Sequence, residues 1–494
     1  MKKIILFGLL LTLFLVGCSC TQSINDVSKT LSTYKMNIIY NDNTKTLQVE
    51  QQLTYKNSTN TMQNELCFHL YPKAFAFGAV NGPVGILSKP KAYPNGNSYG
   101  DIVINNAQVD NKASDYQFGG VDKNILKLQL QSSLSPDAKT TINFDYTVTL
   151  PNINHRFGYG ENTINVANFY PILAVYENGE WICDPYDYKG DPFYSNMANY
   201  EISLTAPTTL VLATTGEILS KTTNNNQSTY NISAKAVRDY AFVLSSKFEI
   251  KETIFNNIKV KYYYYNDDCA DEYLQVAVDS LKTFNNLFGE YPYSTLSVVK
   301  CNFVHGGMEY PNLVYISDAV SHKESYINVI VHEIAHQWWY GLVGSNAYRY
   351  PWLDEGLTEY STILFYENNP QYGINPKEIL QNTASSYTVF IDLYTAVLGK
   401  VDTSMSRALN EYSTEPEYVY ITYIKGMLFF DSLREVIGEK AFMKGLKQYN
   451  KNFMFKNVTP SHLLDTFERA SRQKLDGFFD SWISGKVSVI RLKG

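Results

Sequence analysis

Between about residues 34 and 250 the apolar positions recur with a period of two: Leu47, Val49, Leu53 and Tyr55 alternate with polar neighbours, as do Ile142, Phe144 and Tyr146. That spacing sends one face of a strand into a core and the other into solvent. Turn clusters such as Asn95-Gly96-Asn97 and Asn224-Asn225-Asn226 separate the runs, with no helical stretch between them. The pattern predicts an N-terminal antiparallel β domain, a large sandwich or saddle, over residues 34–252. Near residue 270 the period changes. Leu274, Val278, Leu281, Phe284 and Phe288 recur at helical spacing, and Gly289 with Pro292 ends the helix. Strands are predicted at 295–299 and around 313–316, and helices from there onward. The fold class is therefore α+β and multidomain, with a second domain over residues 253–494.

The first residues follow neither pattern. Lys2 and Lys3 precede an apolar run from Ile4 to Val16 and then Gly17. About 13 apolar residues are too few for a spanning helix, which needs roughly 20, but they suit an export signal. Leu15-Val16-Gly17-Cys18 resembles the lipobox of bacterial lipoproteins. The resemblance implies cleavage before Cys18, acylation of its thiol, a polar tether over residues 18–33, and an extracytoplasmic chain anchored by lipid to a bacterial membrane. A plain signal peptide cut nearby would also place the body outside the cytosol.

Composition narrows the chemistry. With 42 Lys+Arg against 48 Asp+Glu and a net charge of -6, the chain offers no field for a phosphate backbone, so no nucleic acid partner is expected. The six cysteines, Cys18, Cys20, Cys67, Cys183, Cys269 and Cys301, include no CxxC pair. They are too sparse for a disulfide scaffold, and any metal is expected on other ligands.

Those ligands stand in His332-Glu333-Ile334-Ala335-His336, inside an apolar-periodic segment whose start, Ser321 with Glu324 three residues on, fits a capping box. Histidines four apart share one helix face and can bind one Zn²⁺ together, with Glu333 beside the metal as the general base. A catalytic zinc wants a third protein ligand. Glu355, in Trp352-Leu353-Asp354-Glu355-Gly356, lies far enough on for the chain to turn and lay a second helix alongside. Glu359, one helical turn further, could orient a ligand histidine or stand exposed at the surface.

The two motifs and their flanks, HEIAHQWWYG from His332 and WLDEGLTEY from Trp352, resemble the gluzincins of the M1 aminopeptidase family. The resemblance implies a thermolysin-like zincin catalytic domain with a mixed sheet and a helical lobe, holding one catalytic Zn²⁺. Upstream, Gly306-Gly307-Met308-Glu309-Tyr310-Pro311 resembles the family's exopeptidase motif. Adjacent glycines leave a strand edge open to a substrate backbone, and a carboxylate just after them can meet a free α-ammonium. Tyr423-Ile424-Lys425-Gly426 resembles the segment whose tyrosine stabilises the oxyanion. Looser likeness runs through Asn168-Phe169-Tyr170-Pro171, Gly190-Asp191-Pro192 and Val237-Arg238-Asp239-Tyr240. The family's large C-terminal helical domain is not expected here, which implies a more open cleft. A second amine-binding residue from the β domain has no position that the sequence matches.

The expected function is zinc-dependent removal of N-terminal residues from peptides with a free N-terminus, at the extracytoplasmic membrane surface. An endopeptidase or epoxide hydrolase on the same zinc site, and a non-catalytic lipid-anchored binding protein, are the alternatives.

Overall fold

The computed structural model describes residues 23–488, so Cys18, with the rest of the lipobox, lies outside the described residues. Among the described residues no helix is long and apolar enough to cross a membrane.

An eight-stranded sheet backs the first domain, in the order Glu217–Asn224, Gln227–Val237, Ala198–Pro207, Ser32–Asn41, Thr46–Lys56, Lys139–Thr149, Asp101–Val109 and Lys112–Ala113. The alternation does what the sequence predicts: Leu47, Val49, Leu53, Ile142, Phe144 and Tyr146 are all buried. Two four-stranded sheets share the same core, where Phe68 meets Phe144 edge to face at 5.1 Å. Gln51 falls on the inward face and is 2% exposed. Its amide donates to the Pro171 carbonyl at 3.2 Å and accepts the Tyr146 hydroxyl at 3.0 Å, which removes the cost of burying it. The asparagine turn is a two-residue hairpin with Asn225 and Asn226 at φ 46° and 62°, the left-handed pair that such turns demand.

Three expectations need correction. The sheet is mixed, because Ser32–Asn41 runs parallel to Ala198–Pro207; the long chain between them makes the crossover that a parallel pair requires. The tether expected over residues 18–33 is structured from Ser23, whose hydroxyl caps the helix Ile24–Ser28 by accepting from the Asp26 N–H, while Val27 is buried. The domain boundary drawn at 252 cuts through Glu249–Phe255. That strand pairs with Ile258–Tyr264 and opens the second domain's five-stranded sheet, which continues with Thr295–Cys301, Leu313–Ser317 and, at its edge, Gly307–Met308.

Nine helices of the second domain follow in the described residues: α1 (Ala270–Phe288), α2 (Lys323–Ala335), α3 (Trp352–Asn368), α4 (Pro376–Leu398), α5 (Glu415–Val419), α6 (Lys425–Ile437), α7 (Glu439–Phe453), α8 (Pro460–Ser471) and α9 (Asp476–Ile483). The predicted capping box does not form. Helix α2 starts after His322, with no side-chain cap, so Ser321 stands one residue too early to serve its first turn.

The domains are latched by Arg238 and Asp239. The buried Arg238 guanidinium donates to the carbonyls of Tyr340, at 2.6 Å, and Lys456, at 2.6 Å, and Asp239 accepts the Tyr340 hydroxyl. Tyr340 closes the turn after His336, so the β domain holds the end of the metal-binding helix in place.

Candidate active site

Helix α2 ends at the predicted metal motif, with His336 as its C-cap, and α3 packs alongside it. His332 Nε2 and His336 Nε2 lie 3.1 Å apart, and Glu355 Oε2 lies 3.3 Å from the first and 3.1 Å from the second. Ligand atoms held about 2.0–2.1 Å from a tetrahedral ion sit roughly 3.3–3.4 Å from one another. The three atoms thus match the face of a zinc tetrahedron.

The outer nitrogen of His336 indicates its tautomer. His336 Nδ1 is 2.8 Å from the Trp339 carbonyl, which can only accept, so the proton sits on Nδ1 and the Nε2 lone pair is free for metal. Thr358 Oγ1 lies 3.1 Å from the same nitrogen. Glu359, for which the sequence left two readings open, turns to the site, with Oε1 3.5 Å from His332 Nδ1. Burial alone would raise the Glu355 carboxyl, yet His336 and His332 beside it hold it well below the usual carboxylate range.

Glu333 projects from the same helix toward the sheet edge. A Cβ on Gly307 would lie 2.6 Å from Glu333 Cδ, so only glycine lets the carboxylate rest against the strand. Glu333 Oε2 is buried without a hydrogen-bond partner, and burial raises the carboxyl to about 7. Such a group is poised to take a proton. Gly307–Met308 forms the open edge of the sheet beside the cleft, and Gly306 is exposed. The pleat separates the motif's members: Gly307 and Glu309 face the cleft, whereas Met308 turns under and takes the Arg156 guanidinium against its sulfur at 3.1 Å. The Met308 side chain, expected to face substrate, is buried beneath the strand and does not line the cleft. Glu309 is 4% exposed, and burial, with Asp191 nearby, raises its carboxyl well above the usual range.

Tyr423 lies across the metal ligands. Its hydroxyl donates to Glu355 Oε1 at 2.6 Å, and its ring stacks on His332 at 6.1 Å. A π-helical turn, Tyr420–Ile424, joins α5 to α6 and aims this side chain inward. The neighbouring Lys425 is buried and donates to the carbonyls of Thr403 at 2.6 Å and Trp482 at 3.1 Å, pinning α9 to α6.

Two contributors escaped the sequence reading. Gln337 receives the Asn312 N–H at 2.9 Å and donates to the carbonyls of Glu309 and Tyr310 at 3.3 and 3.2 Å, which fixes the strand end that carries Glu309. Asp191 pairs with buried Arg156 and lines the cleft with Glu309 and Glu333. Its one signal was the Gly190-Asp191-Pro192 run, which carried no role. The cleft these residues line holds about 320 Å³.

The Peptidase family M1 domain matches residues 272–482. Aminopeptidase M1 of Arabidopsis thaliana is 24% identical over 312 residues, covering 58% of this chain and 34% of its own length. Aminopeptidase B of Homo sapiens is 29% identical over 238 residues, covering 44% and 35%. The chain thus spans about a third of the length of these curated relatives. The M1 zinc metallopeptidase of Deinococcus radiodurans has a similar fold, with a TM-score of 0.65 at 16% identity, covering 96% of this chain and 98% of that one. A mutant of it bound to a Tyr-Ser-Ala substrate matches with a TM-score of 0.64 at 15% identity, covering 96% and 99%. Residues 272–482 thus carry a Peptidase family M1 domain, in a two-domain fold similar to that of M1 zinc metallopeptidases and with a tetrahedral ligand face that fits one zinc.

Proposed function

We propose that the chain is a zinc-dependent aminopeptidase that removes N-terminal residues from peptides. The observation that carries this reading is Glu309: a buried carboxylate at the end of an open strand edge, facing the same cleft as the metal ligands. A substrate backbone paired along Gly306-Gly307 would bring its free ammonium to Glu309, with Asp191 alongside. An internal peptide segment has no such charge and would leave the carboxylate buried and unpaired.

The remaining groups fit the reaction. His332, His336 and Glu355 would hold a zinc ion, which would supply Lewis acidity at the scissile carbonyl. Glu333 takes the proton of the attacking water and returns it to the leaving amine. Tyr423 donates its hydroxyl to the oxyanion. The lipobox motif at Leu15 to Cys18 supports a place for this activity at the extracytoplasmic membrane surface, through a lipid anchor on Cys18. The relative bound to Tyr-Ser-Ala supports a short peptide as substrate.

The test incubates one peptide in free and N-acetylated forms, with and without a chelator. Trimming of the free form alone, stopped by the chelator, supports the reading; cleavage of both forms makes the protein an endopeptidase. Replacing Glu309 with alanine should slow trimming of the free-amine peptide far more than any residual cleavage of the acetylated one.

A further inference from the structure

Two nearly uncharged segments hold large apolar side chains in solvent. Loop 77–88 contains no charged residue, and its Ile86 and Leu87 are 85% and 78% exposed. On α4, Val389, Leu393 and Val397 recur at every fourth position, so they share one side of the helix. They are 65%, 58% and 72% exposed, on a stretch, 385–398, whose one charge is Asp392. Single exposed apolar residues need no explanation, but clusters of this kind mark contact surfaces.

The two segments that carry these clusters both pack against α5, beside the catalytic cleft. The Tyr394 hydroxyl of α4 lies 3.0 Å from that of Thr414, the N-cap of α5. At the next residue Glu415 touches the loop: a Cβ on Gly85 would lie 3.1 Å from Glu415 Oε1 and 2.6 Å from Tyr188 Cε2. Tyr188 lines the cleft, as does Val419 at the other end of α5, which is 42% exposed. The loop thus adjoins the cleft wall at Tyr188, α4 adjoins it through α5, and together they form an apolar rim beside the cleft.

We propose that this rim receives the substrate beyond its scissile bond, so that preferred substrates are peptides whose residues after the second are apolar. The inference rests on the aminopeptidase reading. With about 320 Å³, the cleft is at the small end of ligand pockets and encloses only the first residues of a peptide. A chain whose ammonium sits at Glu309 leaves through the mouth and crosses the rim. An apolar tail loses unfavourable hydration there, whereas a polar tail loses water and finds no partner.

The test uses the full chain carrying Glu333→Gln, so that peptide is bound and not consumed. The probes are two fluorescent peptides of about ten residues with free N-termini, one with Leu and Val after the second residue and the other with Ser and Gln. The apolar-tailed peptide should bind more tightly. Ile86→Ser with Leu87→Ser, or Leu393→Ser with Val397→Ser, should each weaken it about tenfold and leave the polar-tailed peptide unchanged. These side chains are largely exposed, so the variants fold. Equal binding of the two tails overturns the proposal. So does an unchanged preference in both variants, including the case where the substitutions instead abolish self-association in sedimentation or binding to phosphatidylcholine vesicles. An amino-acyl p-nitroanilide, which has no tail, reports the aminopeptidase reading separately. If the chain with Glu333 intact leaves it uncleaved while the tail preference persists, that reading fails and the rim stands as a peptide-binding surface.

Discussion

Gly356 and Gly426 lie back to back where α3 crosses α6: a Cβ on the first would sit 2.8 Å from the Cα of the second, and a Cβ on the second 2.7 Å from the Cα of the first. Each glycine directly follows, or lies three residues after, a group of the site, Glu355 and Tyr423. The backbone approach they allow lets the tyrosine hydroxyl reach the ligand carboxylate at 2.6 Å. Gly426→Ala should push the helices apart, lower stability by about 1–3 kcal/mol, and lower kcat by tenfold or more, by roughly the cost of misplacing a reacting group. Denaturant unfolding and steady-state kinetics on one preparation measure both; unchanged stability would show that the helices have slack at this crossing.

Tyr423→Phe keeps the ring stacked on His332 and removes only the hydroxyl. The expected loss is about 10²–10³ in kcat, with little change in KM and full zinc content, the pattern of a donor that acts in the transition state. A rise in KM alone would make the tyrosine a substrate-binding group.

Glu359→Gln should weaken zinc binding by about 10–100-fold while the fold is retained, if the carboxylate that faces His332 Nδ1 at 3.5 Å orients that ring. Competition with a zinc-selective dye measures the affinity. In the same assay the wild type should bind one zinc per chain and gain thermal stability from it; an affinity unaltered by the substitution would leave Glu359 no part in the metal site.

Lys425 makes stability depend on pH in a definite direction. Burial, with Arg407 nearby, pushes its ammonium down to about 7 in the folded chain from 10.5. Between those values the unfolded chain binds the extra proton, so stability rises with pH across that window. Wild type should therefore gain stability relative to Lys425→Met between pH 7 and about pH 9.5. Urea unfolding of the two proteins at both pH values gives the difference; a constant difference would mean that the lysine stays charged inside.

The capping box and the fate of Met308 show where sequence reasoning stopped. Ser321 and Glu324 have the right spacing for a cap, but the register of α2 is set by burial of Tyr326, Ile330 and Val331, and it starts the helix after His322. Met308 belongs to the motif and yet its side chain points away from the cleft, because a strand's pleat, not membership of a motif, assigns faces.

Strand alternation, the helical period from residue 270, and the spacing of His332, His336 and Glu355 are local properties, and local spacing fixes which side chains share a face of one element. The sequence by itself therefore determined the two-part α+β architecture and pointed to the candidate metal ligands and the candidate base. Only the tertiary structure decided which distant elements meet: Gln337 behind Glu309, Asp191 across the cleft from a loop of the β domain, Glu359 behind His332, and the glycine crossing that brings Tyr423 to Glu355. Those contacts follow from packing between segments far apart in the chain, and no period or spacing along the chain encodes them.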